Sequence, residues 1–267
     1  MKKKVLGGLA VVSLLTLAGG VNASAAAAGS TTTNGFVEFN ADTSGGGGGT
    51  TEPGDPGDGD GGSEKPVDPG NPGGGDGGST TGALRLAYVP DFDFGSHTIS
   101  YSSAGNTYYA KYQTVTEQDA SGANTTVTHT RPSFFVVRDL RGGTQGWNVT
   151  VSNNQKLTNA ANSADQLNVV FSIQNMFVTN TEGFSTSAIT LANTGTTAYT
   201  DLTSSATTLV SAPSGSGAGS YNVLLGTYAN KNTDETNPGV KLFIPANQVI
   251  SNGKYETTLN WAINDTL

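Results

Sequence analysis

The chain contains no cysteine, so it can build neither a disulfide nor a thiolate nucleophile, and its stability has to come from a packed core. Histidine is almost as scarce: His97 and His129 are the only two, without a nearby partner of recognisable type, and no His-x-x-x-His pair for zinc exists. No serine occupies a Gly-x-Ser-x-Gly elbow. Cationic side chains are few, 13 Lys and Arg against 21 Asp and Glu, giving a net charge of −8 over 267 residues. Such an acidic surface disfavours nucleic acid and other polyanions as partners. Long apolar runs are missing too. The N-terminal one, residues 5–17, is too short to span a bilayer, and no later stretch approaches ~18 apolar residues. Among carboxylates, Asp91 and Asp93 would suit a glycosidase only if a cleft held them ~5 to 9.5 Å apart. They alternate with Phe92 and Phe94, which turns both acids to solvent. No catalytic residue, metal site or cofactor is assigned, and the expectation is a binding or surface protein, not an enzyme.

What is present falls into four segments. Residues 1–25 have the form of an export signal: Lys2, Lys3 and Lys4, then the apolar run, then Ala23-Ser24-Ala25 as a cleavage site. Their removal takes away three of the 13 cationic side chains and none of the 21 acids, so the net charge becomes −11. In residues 26–43, Gly35-Phe36-Val37-Glu38-Phe39 forms a short strand pattern, expected to join the main sheet. Residues 44–82 are dominated by Gly, Pro and Asp and bury too little apolar surface to offset ordering entropy, so a disordered linker is expected. The pair Asp58-x-Asp60 has calcium-like spacing, but position 12 of such a loop falls at Pro69, where a bidentate Glu is needed.

Residues 83–267 carry the period of β-strands. Leu84, Leu86 and Tyr88 alternate with polar or small neighbours, as do Tyr108, Ala110 and Tyr112, Leu167 to Ile173 at odd positions, and Val240, Leu242 and Ile244. The two tryptophans lie on the clearest examples. Trp147, Val149 and Val151 alternate with Asn148, Thr150 and Ser152, and Tyr255, Thr257, Leu259, Trp261 and Ile263 alternate with polar or small residues. Phe134-Phe135-Val136-Val137 has the continuous apolar run of a strand buried on both faces. Asn252-Gly253 suggests a hairpin turn into the last strand, and one short helix would fit within residues 199–210. The fold class expected is all-β: a single β-sandwich or barrel-like domain behind a long disordered N-terminal linker.

Taken in order, several blocks resemble the WxL-domain cell-surface proteins of low-GC Gram-positive bacteria. They are Pro66-Val67-Asp68-Pro69-Gly70-Asn71-Pro72, Leu84-Arg85-Leu86-Ala87-Tyr88-Val89-Pro90-Asp91-Phe92-Asp93-Phe94-Gly95, Asp139-Leu140-Arg141-Gly142-Gly143 leading into Trp147, and the run from Tyr255 to Ile263. Val149 and Ile263 stand where the family motif has leucine, and Leu267 where proline is common; both replacements are β-branched and suit a strand. The resemblance implies a secreted protein held non-covalently on the cell wall surface through peptidoglycan, supporting adhesion or surface-complex assembly. It also implies, as further partners, a membrane-anchored companion protein, other WxL-type surface proteins, or host surface molecules. The alternative is a structural subunit that binds the companion and reaches the wall only through it.

The motif residues Trp147, Val149, Tyr255, Leu259, Trp261 and Ile263 are the candidates for wall binding, though placement on apolar rows favours core packing for the tryptophans. Side-by-side motif strands would connect the two readings. Arg131, Arg138 and Arg141 cluster ahead of the first tryptophan and suggest either a basic spot for wall carboxylates or phosphates or pairing with acids such as Asp139. Tyr101, Tyr108, Tyr109 and Tyr112 suggest either sheet-face packing or a row that holds sugar rings.

Overall fold

A computed structural model describes residues 37, 39, 50–51, 63–66, 78–118, 124–180, 182–227 and 235–265, with backbone alone for 50–51, 63–66, 117–118 and 124–129. The expected signal peptide, most of the expected linker, Leu267 and the His129 side chain lie outside the described residues or side chains. Residues 39–267 form one compact unit; of the other, residues 1–38, only Val37 is described.

Among the described residues every element is a strand, and no helix is long and apolar enough to cross a membrane. All pairings between strands are antiparallel, and none of the sheets closes into a barrel. The first sheet runs β1 (Thr50–Thr51), β2 (Ser63–Pro66), β5 (Gln113–Gln118), β6 (Asn124–Arg131). A second is β12 (Met176–Asn180), β16 (Gly219–Leu225), β7 (Ser133–Asp139), β3 (Leu84–Tyr88). A third is β14 (Thr200–Leu202), β11 (Val170–Ile173), β17 (Thr236–Ile244), β4 (Asn106–Lys111). The fourth is β13 (Thr190–Leu191), β15 (Thr207–Ala212), β8 (Trp147–Asn153), β19 (Leu259–Asp265). A small fifth sheet joins β10 (Asn162–Asn168), β9 (Lys156–Asn159) and β18 (Tyr255–Glu256).

The β7–β16 pair is the centre of the fold because both faces of it are covered. Phe134, Phe135, Val136 and Val137 are all fully buried, and so is the whole of β16, as the unbroken apolar run predicts. One face, with Phe135, Val137, Tyr221, Val223 and Leu225, looks into the main core shared with Trp147, Phe171, Leu167, Ile173, Val240 and Leu242. The opposite face, with Phe134, Val136 and Leu224, meets Tyr88 and Val115 in a smaller cluster. The Tyr88 and Phe134 rings touch at 5.2 Å between centroids. Phe92 and Phe94 both set their edges on Phe171, at 5.2 and 5.5 Å, and so pack on the main core.

Long strands change sheets where the ladder is interrupted. Tyr112 separates β4 from β5, and Pro132, which has no N–H to donate, separates β6 from β7. A bulge in β3 between Leu86 and Tyr88 sends Leu86 to the main core and Tyr88 to the smaller one. This corrects the simple alternation read for Leu84, Leu86 and Tyr88, because one extra residue reverses every later side chain.

Other expectations are corrected as well. The expected helix within residues 199–210 is absent; β14 and the start of β15 stand there, held by pairing with β11 and β8. Asn252-Gly253 does not join two paired strands, since β18 pairs with β9 and β17 with β4 and β11. The expected linker is not among these corrections: most of it lies outside the described residues, and of the described part β2 pairs along β5. Val37 and Phe39, 71% and 87% exposed, lie outside any strand.

Candidate functional site

The two motif strands are direct neighbours. β8 and β19 pair antiparallel with Trp261 opposite Val151, Ile263 opposite Val149 and Asp265 opposite Trp147. Period-2 alternation on both strands then places Trp147, Val149, Val151, Leu259, Trp261 and Ile263 on one face, against the main core. The outward face carries the polar residues, with Asn264 donating to Asn148 at 3.0 Å. Asn153 donates to Thr257 Oγ1 and the Thr258 carbonyl where the ribbon breaks between sheets.

The two indoles differ in their surroundings. Trp147 is fully buried, its Nε1–H donates to the Gly217 carbonyl at 2.8 Å, and its ring meets the edge of Tyr221 at 5.6 Å. Gly217 has φ +92°, and a β-carbon on it would lie 2.6 Å from Trp147 Nε1. Only glycine therefore serves at that position. Trp261 is half-buried, tilted against Phe135 at 5.2 Å, on a strand whose sole hydrogen-bonded neighbour among the described residues is β8.

Beside this ribbon, Asp139 takes a two-point grip from Arg141, Nε at 2.8 Å and Nη2 at 2.7 Å, while Nη1 pairs with Asp265 at 2.7 Å and Nη2 also donates to the Gly146 carbonyl. Asp139 is buried. Its hydrogen bonds, together with those to Asp265, outweigh desolvation and hold the Arg141 guanidinium even further above its ordinary range. The clamp ties β19 to the loop that leads into β8. Arg131 is buried at the end of β6, and Arg138 sits on β7 opposite Arg85 and Ser220. For Arg141 the acid-pairing alternative is the one observed.

Tyr255, ahead of the ribbon break, donates to Asp165 at 2.7 Å and accepts from the Ser251 amide. Side-chain hydrogen bonds to Asp165 from Tyr255 and Ser251, with a further one from Asn159, keep its carboxyl below its ordinary range against desolvation. The other tyrosines divide between the two readings. Tyr112 is buried and Tyr108 packs on the core, while Tyr101 is 66% exposed and Tyr109 38%.

Tyr101 stands at a cleft that sequence patterns did not reveal. The loop before β4 supplies Tyr101, Ser102 and Ser103, and the start of β4 supplies Asn106; the end of β17 and the loop after it supply Ile244 to Gln248 and Ile250. The cleft has a volume of about 230 Å³. Two loops some 140 residues apart build it, as the Tyr101 hydroxyl bond to the Ile250 carbonyl at 3.3 Å records. Its only advance signals were Tyr101 itself and the turn marked by Pro245.

Among the described residues no arrangement resembles a catalytic constellation. His97 stacks on Tyr108 at 4.3 Å and its Nε2 bonds the Phe94 carbonyl. Asp93 pairs with Lys111 at 2.8 Å. Among the described residues no group of His, Asp and Glu is placed to hold a metal ion.

Comparison with known protein families gives a match over most of the chain. The family profile described as "WxL domain surface cell wall-binding" covers residues 26–266. Neither the curated proteins nor the solved structures give a match. That family is one of wall-binding surface domains, not of enzymes, and the profile covers nearly the whole chain, motif ribbon included. The chain therefore belongs to the WxL-domain family, and its place is the surface of the cell wall, to which it binds.

Proposed function

We propose that the protein attaches non-covalently to peptidoglycan through its β fold and, once attached, supports adhesion or the assembly of surface complexes. The observation that carries this reading is the extent of the wall-binding match, residues 26–266, over a chain without any described cluster suited to catalysis or metal. The burial of Trp147 supports a structural role for the motif, and with it a reading in which exposed loops and the solvent side of the ribbon make the wall contact. Export by the N-terminal signal belongs to the same proposal. Purified residues 26–267 incubated with protein-free sacculi should sediment with them and be released by denaturant alone. Recovery in the supernatant at every protein concentration would refute direct attachment.

A second reading rests on the position of β19. It is an edge strand with one hydrogen-bonded neighbour among the described residues, and such an edge can accept a strand from another protein. A membrane-anchored companion, another WxL-type protein or a host surface molecule would be recruited there. Sedimentation with sacculi only when the companion is added would favour this reading over the first.

A further inference from the structure

The cleft between the 97–105 and 245–254 loops has features of a ligand site, and their chemistry narrows the ligand. Its lining side chains that can form hydrogen bonds are Tyr101, Ser102, Ser103, Asn106, Asn247 and Gln248. None of these is charged at neutral pH, and no Lys, Arg, Asp or Glu lines the cleft. A site for the phosphates of a wall polymer or the carboxylates of a stem peptide would need cationic partners, and the chain as a whole is acidic. A neutral ligand rich in hydroxyl and amide groups is what such a lining matches.

Exposed apolar side chains stand on the same two loops, Tyr101 among the lining residues. Of the exposed large apolar side chains beyond residue 83, namely Ile99, Tyr101, Tyr109, Phe184 and Val249, three lie on these two loops. The walls are set in advance. Asn106 donates to the Ser100 carbonyl at 2.9 Å, Gln248 donates to the Asn168 carbonyl at 2.8 Å, and Tyr101 reaches across to Ile250. Gly105, at φ +80°, brings its loop so near the Phe243 ring and the Ile244 carbonyl that a β-carbon would approach both within 2.7 Å. A preformed aromatic face beside neutral hydrogen-bonding groups is how a protein holds a sugar ring, the apolar face of the ring on the aromatic and its hydroxyls on amides and hydroxyls.

Resting on the wall-binding reading above, we propose that this cleft binds a single N-acetylhexosamine ring of a neutral glycan strand. The ring lies on Tyr101, and its hydroxyl and acetamido groups bond to Ser103 and Asn247. These two side chains make no hydrogen bond to other described residues. The site reads the sugar backbone of the wall and ignores its charged substituents.

The test is a calorimetric or NMR titration of residues 26–267 with chitotetraose, run beside sedimentation with sacculi. Saturable binding is expected, unchanged between about 0.05 and 0.5 M salt because no ion pair is formed. Tyr101→Ala should weaken it roughly three- to tenfold, the order expected for one lost aromatic contact, with little change in melting temperature because that side chain is largely exposed. Tyr101→Phe, which keeps the ring, should retain most of the affinity. A chain that sediments with sacculi yet shows no saturable binding to chitotetraose overturns this inference and leaves the wall-binding reading intact. Failure to sediment as well removes both. Binding that Tyr101→Ala leaves unchanged, or that falls steeply with salt, places the ligand elsewhere or makes it anionic, and overturns the assignment.

Discussion

Replacing each tryptophan by alanine should separate the two indoles by their thermodynamics. Trp147 has no exposed surface, and burial of an indole, ~150 to 250 Å² at ~25 cal/mol per Å², is worth roughly 4 to 6 kcal/mol. Truncation also leaves a sealed cavity and removes the only described partner of the Gly217 carbonyl; measured aromatic-to-alanine losses in cores are about 3 to 5 kcal/mol. Trp147→Ala should therefore lose about 4 to 5 kcal/mol, a fall in Tm of roughly 10 to 18 °C for a domain of this size. Trp261 is half-buried on an edge strand, with its ring against Phe135. Water can refill the space left by its removal, so Trp261→Ala should lose only about 2 kcal/mol, or roughly 4 to 8 °C. Thermal melts followed by circular dichroism give both numbers, and sedimentation with sacculi well below each Tm gives retention. Equal losses, or a reversed order, would refute the core assignment. So would a Trp147→Ala protein that is folded yet no longer retained by the wall, because Trp147 would then be a contact.

Asp139→Ala leaves Arg141 with an exposed partner in place of a buried one and should lower stability by about 3 kcal/mol, whereas Asp265→Ala should change it by no more than about 1 kcal/mol; urea midpoints measure both. Gly217→Ala forces a side chain into a left-handed backbone and against Trp147, and should destabilise by roughly 2 to 4 kcal/mol, with altered indole fluorescence as a second readout. Acid should loosen the fold through two carboxyls. Burial acts to raise the Asp93 carboxyl, but the Lys111 and Gly95 hydrogen bonds and the Lys111 and His97 charges outweigh it, so Asp93, like Asp165, lies below its ordinary value. Groups depressed on folding stabilise the protein above the unfolded carboxylate pKa of about 3.9 and lose that effect as pH falls through the lower folded value. Melting temperature should thus hold at mildly acidic pH and decline below about pH 4, and the double variant Asp93→Asn, Asp165→Asn should flatten that decline.

The dry faces of the strands were legible because their period is physical. Leu167, Val169, Phe171 and Ile173, or Trp147, Val149 and Val151, have no other way to bury a row. Phe134 to Val137 announced a doubly covered strand for the same reason. Pairing was not legible: nothing in Val149 or Ile263 alone states that they lie opposite each other. Nor was the bulge before Tyr88, where the backbone inserts one residue without a sequence mark. The stretch Thr200–Leu202 and Thr207–Ala212 has no strong period of its own, and neighbours on β11 and β8 decide its form. At the candidate sites, the acid partner of Arg141 was visible two residues away in sequence. The cleft was hidden because its walls meet only after the β4–β17 ladder has formed.

The order in which the pieces arrive has a bearing on how the molecule matures. β8 obtains its second neighbour from a segment about a hundred residues downstream, the distance spanned by the Asn153–Thr257 bond. Closing so long a loop is only modestly unfavourable, but contacts of this range make assembly slow. A chain emerging from its N-terminal end thus keeps β8 one-sided, with Arg141 lacking Asp265, until β19 appears. The interval leaves a sticky unfinished ribbon, the period when a chaperone or a neighbouring copy would find it most readily.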